Sequence, residues 1–218
     1  MKLKKGDFIE VSYVARTKDD NKVFDLTNEE IAKKENLYNK NHPYKPLIIC
    51  LGYNDVIKGL DEQLINKELG KYKIEINAEK AFGKKTYDLI KLVPNSIFSK
   101  ENIKPFPGLQ VNMEGFMGVI RSVSGGRSLV DFNHPLAGKD IVYDIEIIKI
   151  VNDKEEKVKS LLELKFGKEI KFALSNDNLV IKFEIKDAKL KKALVDEIKE
   201  KIPEIKEVEF EKQPLENK

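Results

Sequence analysis

Asp131-Phe132-Asn133-His134-Pro135-Leu136-Ala137-Gly138-Lys139, with the strand-like Ile141-Val142-Tyr143-Asp144-Ile145-Glu146-Ile147-Ile148-Lys149-Ile150 close behind it, is the stretch on which the reading of this chain turns. The first half is too small and turn-prone to be a helix or a strand. Pro135 fixes its own φ and pushes His134 out of the α region, and Gly138 frees the backbone to change direction. The second half alternates between apolar and polar residues and closes a sheet. A seam followed by a closing strand marks the point where the chain leaves one domain and re-enters another.

Up to and including the seam, Lys84–Lys139 has a character of its own. Prolines 94, 105 and 107 and glycines 108, 115, 118, 125 and 126 punctuate short β-prone pieces such as Leu109–Met113 and Leu129–Phe132. This segment reads as a small all-β module inserted into another domain. Both internal methionines, Met113 and Met117, lie in it.

Before the module, Phe8–Ala15 reads as a strand, Asp19-Asp20-Asn21 as a turn and Val23-Phe24-Asp25 as the start of the return. Residues 28–45 are polar and lysine-rich, a long excursion with one helical turn. Leu47–Leu51 is an apolar run of strand length. Ile57, Leu60, Leu64 and Ile65 recur at helical spacing, and Tyr72–Ile76 alternates as a half-buried strand. Strands with one short helix predict an α+β domain in which the helix packs across an antiparallel sheet. Beyond residue 152 the chain is rich in lysine and acids. Ile170/Phe172/Leu174 and Leu179/Ile181/Phe183/Ile185 flank the turn Ser175-Asn176-Asp177-Asn178 as a hairpin. Asp187 caps a helix carrying Leu190, Leu194, Ile198 and Ile202 and stopped by Pro203, and Val208 and Phe210 form a last strand. This predicts a C-terminal ββαβ domain over 152–218, frayed after Gln213.

The bulk numbers bound the function. The chain has 218 residues, enough for two or three small domains. Forty lysines and arginines against 37 acids leave a net charge of +3, which gives no reason to expect nucleic acid or anionic lipid as a partner. One cysteine, Cys50, excludes an internal disulfide framework. Neither a secretory leader nor a bilayer-length apolar run is expected, so the protein reads as cytoplasmic. Only two histidines are present, His42 and His134; His134 reads as a hydrogen-bonding turn residue rather than a metal ligand. Neither a metal nor a cofactor is expected.

In order as well as content, the strand ending in Tyr13, Val23-Phe24-Asp25, Pro46-Leu47, Gly52, Val56-Ile57-Lys58-Gly59-Leu60, Ala81-Phe82-Gly83, the Asp-Phe-Asn-His-Pro-Leu-Ala-Gly-Lys seam and Tyr143-Asp144-Ile145-Glu146 resemble the SlyD-type branch of the FKBP peptidyl-prolyl cis–trans isomerases. The whole looks like the long archaeal form of that family. The resemblance covers roughly residues 1–150. It implies an FKBP-like antiparallel sheet wrapped on a short helix (residues 1–83 and 140–151), an inserted flap or chaperone domain (84–139) and the C-terminal domain (152–218).

The same resemblance implies the site. Tyr13, Phe24, Leu47, Val56, Ile57, Leu60, Phe82 and Tyr143 line a pocket for proline. The Ile57 N–H meets a substrate carbonyl, and Asp25 either faces the twisting carbonyl carbon or holds Tyr13 by a hydrogen bond. Phe98, Phe106, Met113, Phe116 and Met117, with Leu109 and Val119, supply adaptable apolar surface for unfolded or nascent chains containing X-Pro bonds, unless the module needs them for its own core. Taken singly, Phe24 and Tyr143 read as plain core aromatics and Asp25 as a turn acid. The chain departs from the family in having Leu60 where a tryptophan is usual and Phe82 where a tyrosine is usual, which predicts weakened macrolide binding. A homodimer through the C-terminal domain is expected. The alternative function is a holdase chaperone with a vestigial isomerase pocket.

Overall fold

A computed structural model describes residues 1–211; the expected fraying after Gln213 lies outside them. The elements run β1 (Phe8–Thr17), β2 (Val23–Leu26), α1 (Glu29–Lys34), β3 (Leu47–Cys50), α2 (Lys58–Leu64), β4 (Gly70–Ile76), β5 (Ile90–Pro94), α3 (Asn95–Lys100), β6 (Gln110–Met113), β7 (Phe116–Ser124), β8 (Arg127–Asp131), β9 (Ile141–Val151), α4 (Lys154–Phe166), β10 (Phe172–Ser175), β11 (Asn178–Ile181), α5 (Ala188–Lys201) and β12 (Glu207–Phe210). No helix among the described residues is long and apolar enough to cross a membrane. The chain divides into two compact units.

The first unit comprises Met1–Arg16, Asn21–Glu75 and the chain from Val142 onward. Its main sheet has the order β2-β1-β9-β4, with β3 pairing antiparallel to β1 so that Phe8 faces Cys50 and Val11 faces Leu47. The alternation read in Ile141–Ile150 places Tyr143, Ile145 and Ile147 inside and Asp144 and Glu146 outside. Helix α2 buries Leu60 and Leu64 completely. The expected helical turn in 28–45 is α1, capped by the Asn28 side chain accepting from the Ile31 N–H at 3.0 Å.

The C-terminal segment has one helix more than ββαβ. Helix α4 starts at an Asp153 cap accepting from Glu156 N–H and ends at Gly167 in the left-handed region, φ 65°. It buries Val158, Leu161 and Leu162 in a core shared with Phe8, Cys50, Leu179, Leu194 and Ile198. The hairpin strands are shorter than the alternation suggested, with Phe183 and Ile185 packed on that core beyond the end of β11. Strand β12 joins β11 in parallel, and α5 is the crossover such a pair requires. Asp187 caps α5 as expected, whereas Leu190 points outward at 64% exposure.

The second unit comprises Thr17–Asp20 and Ile76–Ile141. Its antiparallel sheet has the order β5-β8-β7-β6. It is not wholly β, because α3 follows Pro94 and inserts Phe98 into the module's own core of Val93, Val111, Ile120 and Val130. The seam closes the module at its base. Asn133 accepts from the Thr86 N–H at 2.8 Å through Oδ1 and donates Nδ2 to the Thr86 carbonyl at 3.0 Å, and the Gly138 N–H donates to the Gly83 carbonyl at 2.8 Å. Entering and leaving chains are thus tied across two positions.

Candidate active site

The centre of the candidate site is built from β1, β2 and β9. The Tyr13 N–H donates to Thr27 Oγ1 at 2.8 Å, and the Thr27 N–H donates to the Tyr13 carbonyl at 3.0 Å. The paired strands bring Asp25 level with Ala15. From there the Tyr13 hydroxyl donates to Asp25 Oδ2 at 2.9 Å. The ring of Tyr143 meets that of Tyr13 edge-on, with centroids 5.4 Å apart and planes at 60°. Burial, then the Asp25 charge and the hydrogen bond to it, push the Tyr13 hydroxyl well above the ordinary tyrosine pKa. Burial and Asp25 do the same to Tyr143. Both phenols therefore stay protonated, as uncharged donors at the edge of an apolar surface.

The turn between β3 and α2 carries the expected residues Val56 and Ile57. Asp61, at the first turn of α2 and nearly buried, accepts from Gly52 N–H at 2.8 Å and Asn54 N–H at 2.9 Å. Asp55 Oδ2 accepts from Cys50 N–H at 2.8 Å. These carboxylates hold a turn in which Gly52 and Asn54 both have positive φ. The turn ends at Val56 and Ile57, both half-buried. The Ile57 carbonyl accepts from Leu60 and Asp61, opening α2, while its N–H donates to no group among the described residues.

Tyr13, Asp25 and Leu47 also line a cavity of about 740 Å³ together with Leu26, Ile48, Pro43 and Pro46. Its far wall comes from α4 and the turn after it, including Ser160, Glu163, Leu164 and Lys168. Lys45 and Glu163 pair at 2.6 Å. The α4 wall lies outside the expected site, although Asp153 and Gly167 bracket the helix in the sequence.

Phe24 is half-buried on β2, Tyr143 buried on β9, and Leu60 fully buried on α2. Phe82 lies in the second unit, its ring stacked on His134 with centroids 4.7 Å apart and planes at 5°. His134 is a turn hydrogen-bonder, accepting the Leu136 N–H at Nδ1, 3.2 Å. In the module, Phe106, Phe116 and Met117 are 55%, 70% and 58% exposed, and Met113 is half-buried against the core. Phe98, expected on the capturing surface, is 3% exposed and serves the module's interior instead. Among the described residues no cluster of histidine, cysteine and acid side chains is arranged to hold a metal ion.

Residues 91–136 match the family model described as FKBP26, IF domain. The chain is 32% identical over 146 residues to the short-type peptidyl-prolyl cis-trans isomerase of Methanocaldococcus jannaschii, covering 66% of this chain and 92% of that protein. It is 32% identical over 111 residues to the FKBP-type 16 kDa peptidyl-prolyl cis-trans isomerase of Escherichia coli, covering 49% of this chain and 74% of the relative. It is 26% identical over 153 residues to the FKBP-type peptidyl-prolyl cis-trans isomerase SlyD of Haemophilus influenzae, covering 68% of this chain and 72% of the relative.

Proposed function

The chain belongs to the FKBP-type peptidyl-prolyl cis–trans isomerases, and from that premise we propose that it rotates X-Pro bonds at the Tyr13–Asp25 site while its inserted module gathers unfolded chains. The observation that carries the site is the Tyr13 hydroxyl donating to Asp25 Oδ2 while the Tyr13 ring meets that of Tyr143 edge-on.

The chemistry needs no nucleophile and no proton transfer. A prolyl amide resists rotation because nitrogen lone-pair resonance with the carbonyl must be lost, a barrier of about 18–20 kcal/mol. A dry apolar surface disfavours the charge-separated planar form and leaves the twisted one untouched. Four to six decades of acceleration correspond to roughly 5–8 kcal/mol of differential stabilisation. Tyr13, Leu47 and Tyr143 supply the apolar wall, with Leu60 beneath as an aliphatic floor. The Ile57 N–H takes the substrate carbonyl on one side of the bond. Asp25 combines both roles considered for it: Oδ2 fixes Tyr13, and Oδ1, which accepts no bond among the described residues, faces the carbonyl carbon as it twists.

The capturing role is supported by Phe106, Phe116 and Met117, exposed apolar side chains on a module whose core is filled by others. Held on the same chain as the isomerase site, such a surface raises the local concentration of prolyl bonds without reading sequence. The partners on this reading are unfolded or nascent polypeptides in the cytoplasm, with neither nucleic acid nor membrane. Leu190, exposed on α5, and the outer edges of β10 and β12, which pair with no further strand among the described residues, support a homodimer through the C-terminal segment; a monomeric mass by light scattering at high concentration would remove that element.

The test is proline-limited refolding of a denatured protein. Catalysis by the whole chain should exceed catalysis by a Phe116→Ser/Met117→Ser variant, while both act equally on a short X-Pro peptide. Equal refolding activity would contradict the capturing role. The holdase alternative is favoured by one observation, that Phe82 brings no phenol and its ring already stacks on His134. It predicts suppressed aggregation with no effect on proline-limited folding.

A further inference from the structure

We propose that Lys201, in the last turn of α5, is a positioning residue for the isomerase reaction, acting through Asp55 on the turn that presents Val56 and Ile57. The inference rests on the assignment of the Ile57 N–H to the substrate carbonyl.

Lysine is among the residues least often buried, yet the Lys201 side chain is only 4% exposed. Its Nζ lies 2.5 Å from Asp55 Oδ1 and 2.9 Å from Glu197 Oε1, one turn back on the same helix. It also stands 5.6 Å from the centroid of the Tyr53 ring, in the same turn as Asp55. Glu197 is in turn held by Lys165 of α4 at 2.5 Å. A chain of charges thus runs from α4 through α5 into the turn between β3 and α2. Burial disfavours the ammonium, but the bonds to Asp55 and Glu197 outweigh it, and the lysine pKa is raised.

A buried ion pair is weak evidence of added stability, because desolvation offsets the attraction. It is stronger evidence of a fixed geometry. The front of the turn, Gly52 and Asn54, is tied to α2 by Asp61. The back, which carries Val56 and Ile57, has Asp55 as its anchor. One Asp55 oxygen accepts from the Cys50 N–H, and the other is held by Lys201. Remove the ammonium and Asp55 keeps a single tie, to the strand before the turn. The Ile57 carbonyl is tied into α2, but its N–H donates to no group among the described residues, so the direction of that N–H follows the turn that Asp55 anchors. A segment that follows the closing strand of the isomerase sheet therefore sets the aim of a hydrogen-bond donor inside the site.

The test compares Lys201→Met, which keeps the stem and removes the charge, with Lys201→Arg. Each is assayed on a short X-Pro peptide well below its unfolding temperature, with the Ile57 amide followed by NMR. Lys201→Met should shift the Ile57 amide resonance and lower kcat/KM about tenfold, chiefly through KM, and Lys201→Arg should recover most of the loss. Unchanged kcat/KM and an unmoved Ile57 amide, whatever happens to thermal stability, would overturn the proposal. Should Lys201→Met fail to fold, Asp55→Asn/Lys201→Met removes both charges; the same losses support the clamp, and wild-type activity refutes it. If the unmodified chain has no activity on the peptide, the isomerase reading fails, and the Ile57 resonance still decides whether Lys201 aims it.

Discussion

The hydroxyl of Tyr13 and the carboxylate of Asp25 face each other across paired strands at 2.9 Å, the tyrosine donating. Tyr13→Phe removes the donor and keeps the ring. It should lower kcat/KM toward X-Pro peptides by roughly three- to tenfold, the worth of about one hydrogen bond to a charged acceptor reduced by solvent access. Asp25→Ala should cost more, and the double variant should cost little beyond Asp25→Ala alone, because the two act as one unit. Additive losses would separate them.

Because burial and Asp25 raise the Tyr13 phenol above its ordinary pKa of 10.0, and burial and Asp25 raise Tyr143 likewise, neither ionises near pH 10. A pH–rate profile should stay flat through that value. A fall centred there would mean that one of these phenols is exposed in solution.

At the seam, Asp131 is 3% exposed and accepts from Asn133 through its backbone N–H and Nδ2, at 2.9 and 2.8 Å, and from Arg121 at 2.8 Å. Burial works against its charge, but the Asn133 and Arg121 bonds prevail and hold its pKa at about 2, below the ordinary 3.8. A depressed carboxyl contributes stability that is complete above the unfolded value and is lost as pH falls through the folded one. The contribution is at most about 2.5 kcal/mol, and less because Arg121 is half exposed and solvent screens it. Module unfolding followed by denaturant at pH 7 and at pH 2 should therefore show a smaller loss on acidification in Asp131→Asn than in the parent.

Gly118 has no room for a side chain. A Cβ there would come within 2.7 Å of the Phe132 ring and 2.8 Å of the Val130 side chain. Gly118→Ala should destabilise the module by about 1–3 kcal/mol through overpacking, read as a lower urea midpoint with unchanged slope. Stability within 0.5 kcal/mol of the parent, roughly the level of a surface change, would show that Phe132 yields freely.

Cys50 is fully buried, and burial followed by the Asp55 charge pushes its thiol up to about 12. It should resist a thiol reagent in the native state and react fully in denaturant. Rapid native labelling would mean that the core shared by β3 and α4 opens.

Much of this was legible from the chain because local rules agreed with the fold. The alternation of Ile141–Ile150, the helical spacing of Leu60 and Leu64 and the Asp187 cap all correspond to observed elements. Helix α4 is absent from the expected elements although Asp153, Glu155, Glu156 and Gly167 mark its ends. Its lysines and glutamates mask a short apolar stripe at Val158, Leu161 and Leu162. Phe98 could not be told from Phe116 by composition; only the placing of α3 after Pro94 puts Phe98 in the module's core, while Phe116 at the start of β7 stays exposed. The Lys201–Asp55 pair spans 146 positions and has no local signature. Charge pairs of that kind become visible only when the packing of α5 is known.

The most direct test of the central claim is the cis–trans exchange rate of a short X-Pro peptide, measured by magnetisation-exchange NMR with and without the protein. The account predicts strong acceleration that drops sharply in Asp25→Ala and recovers partly in Asp25→Asn, which can still accept from Tyr13. No acceleration by the unmodified chain, or acceleration indifferent to Asp25, would contradict the site.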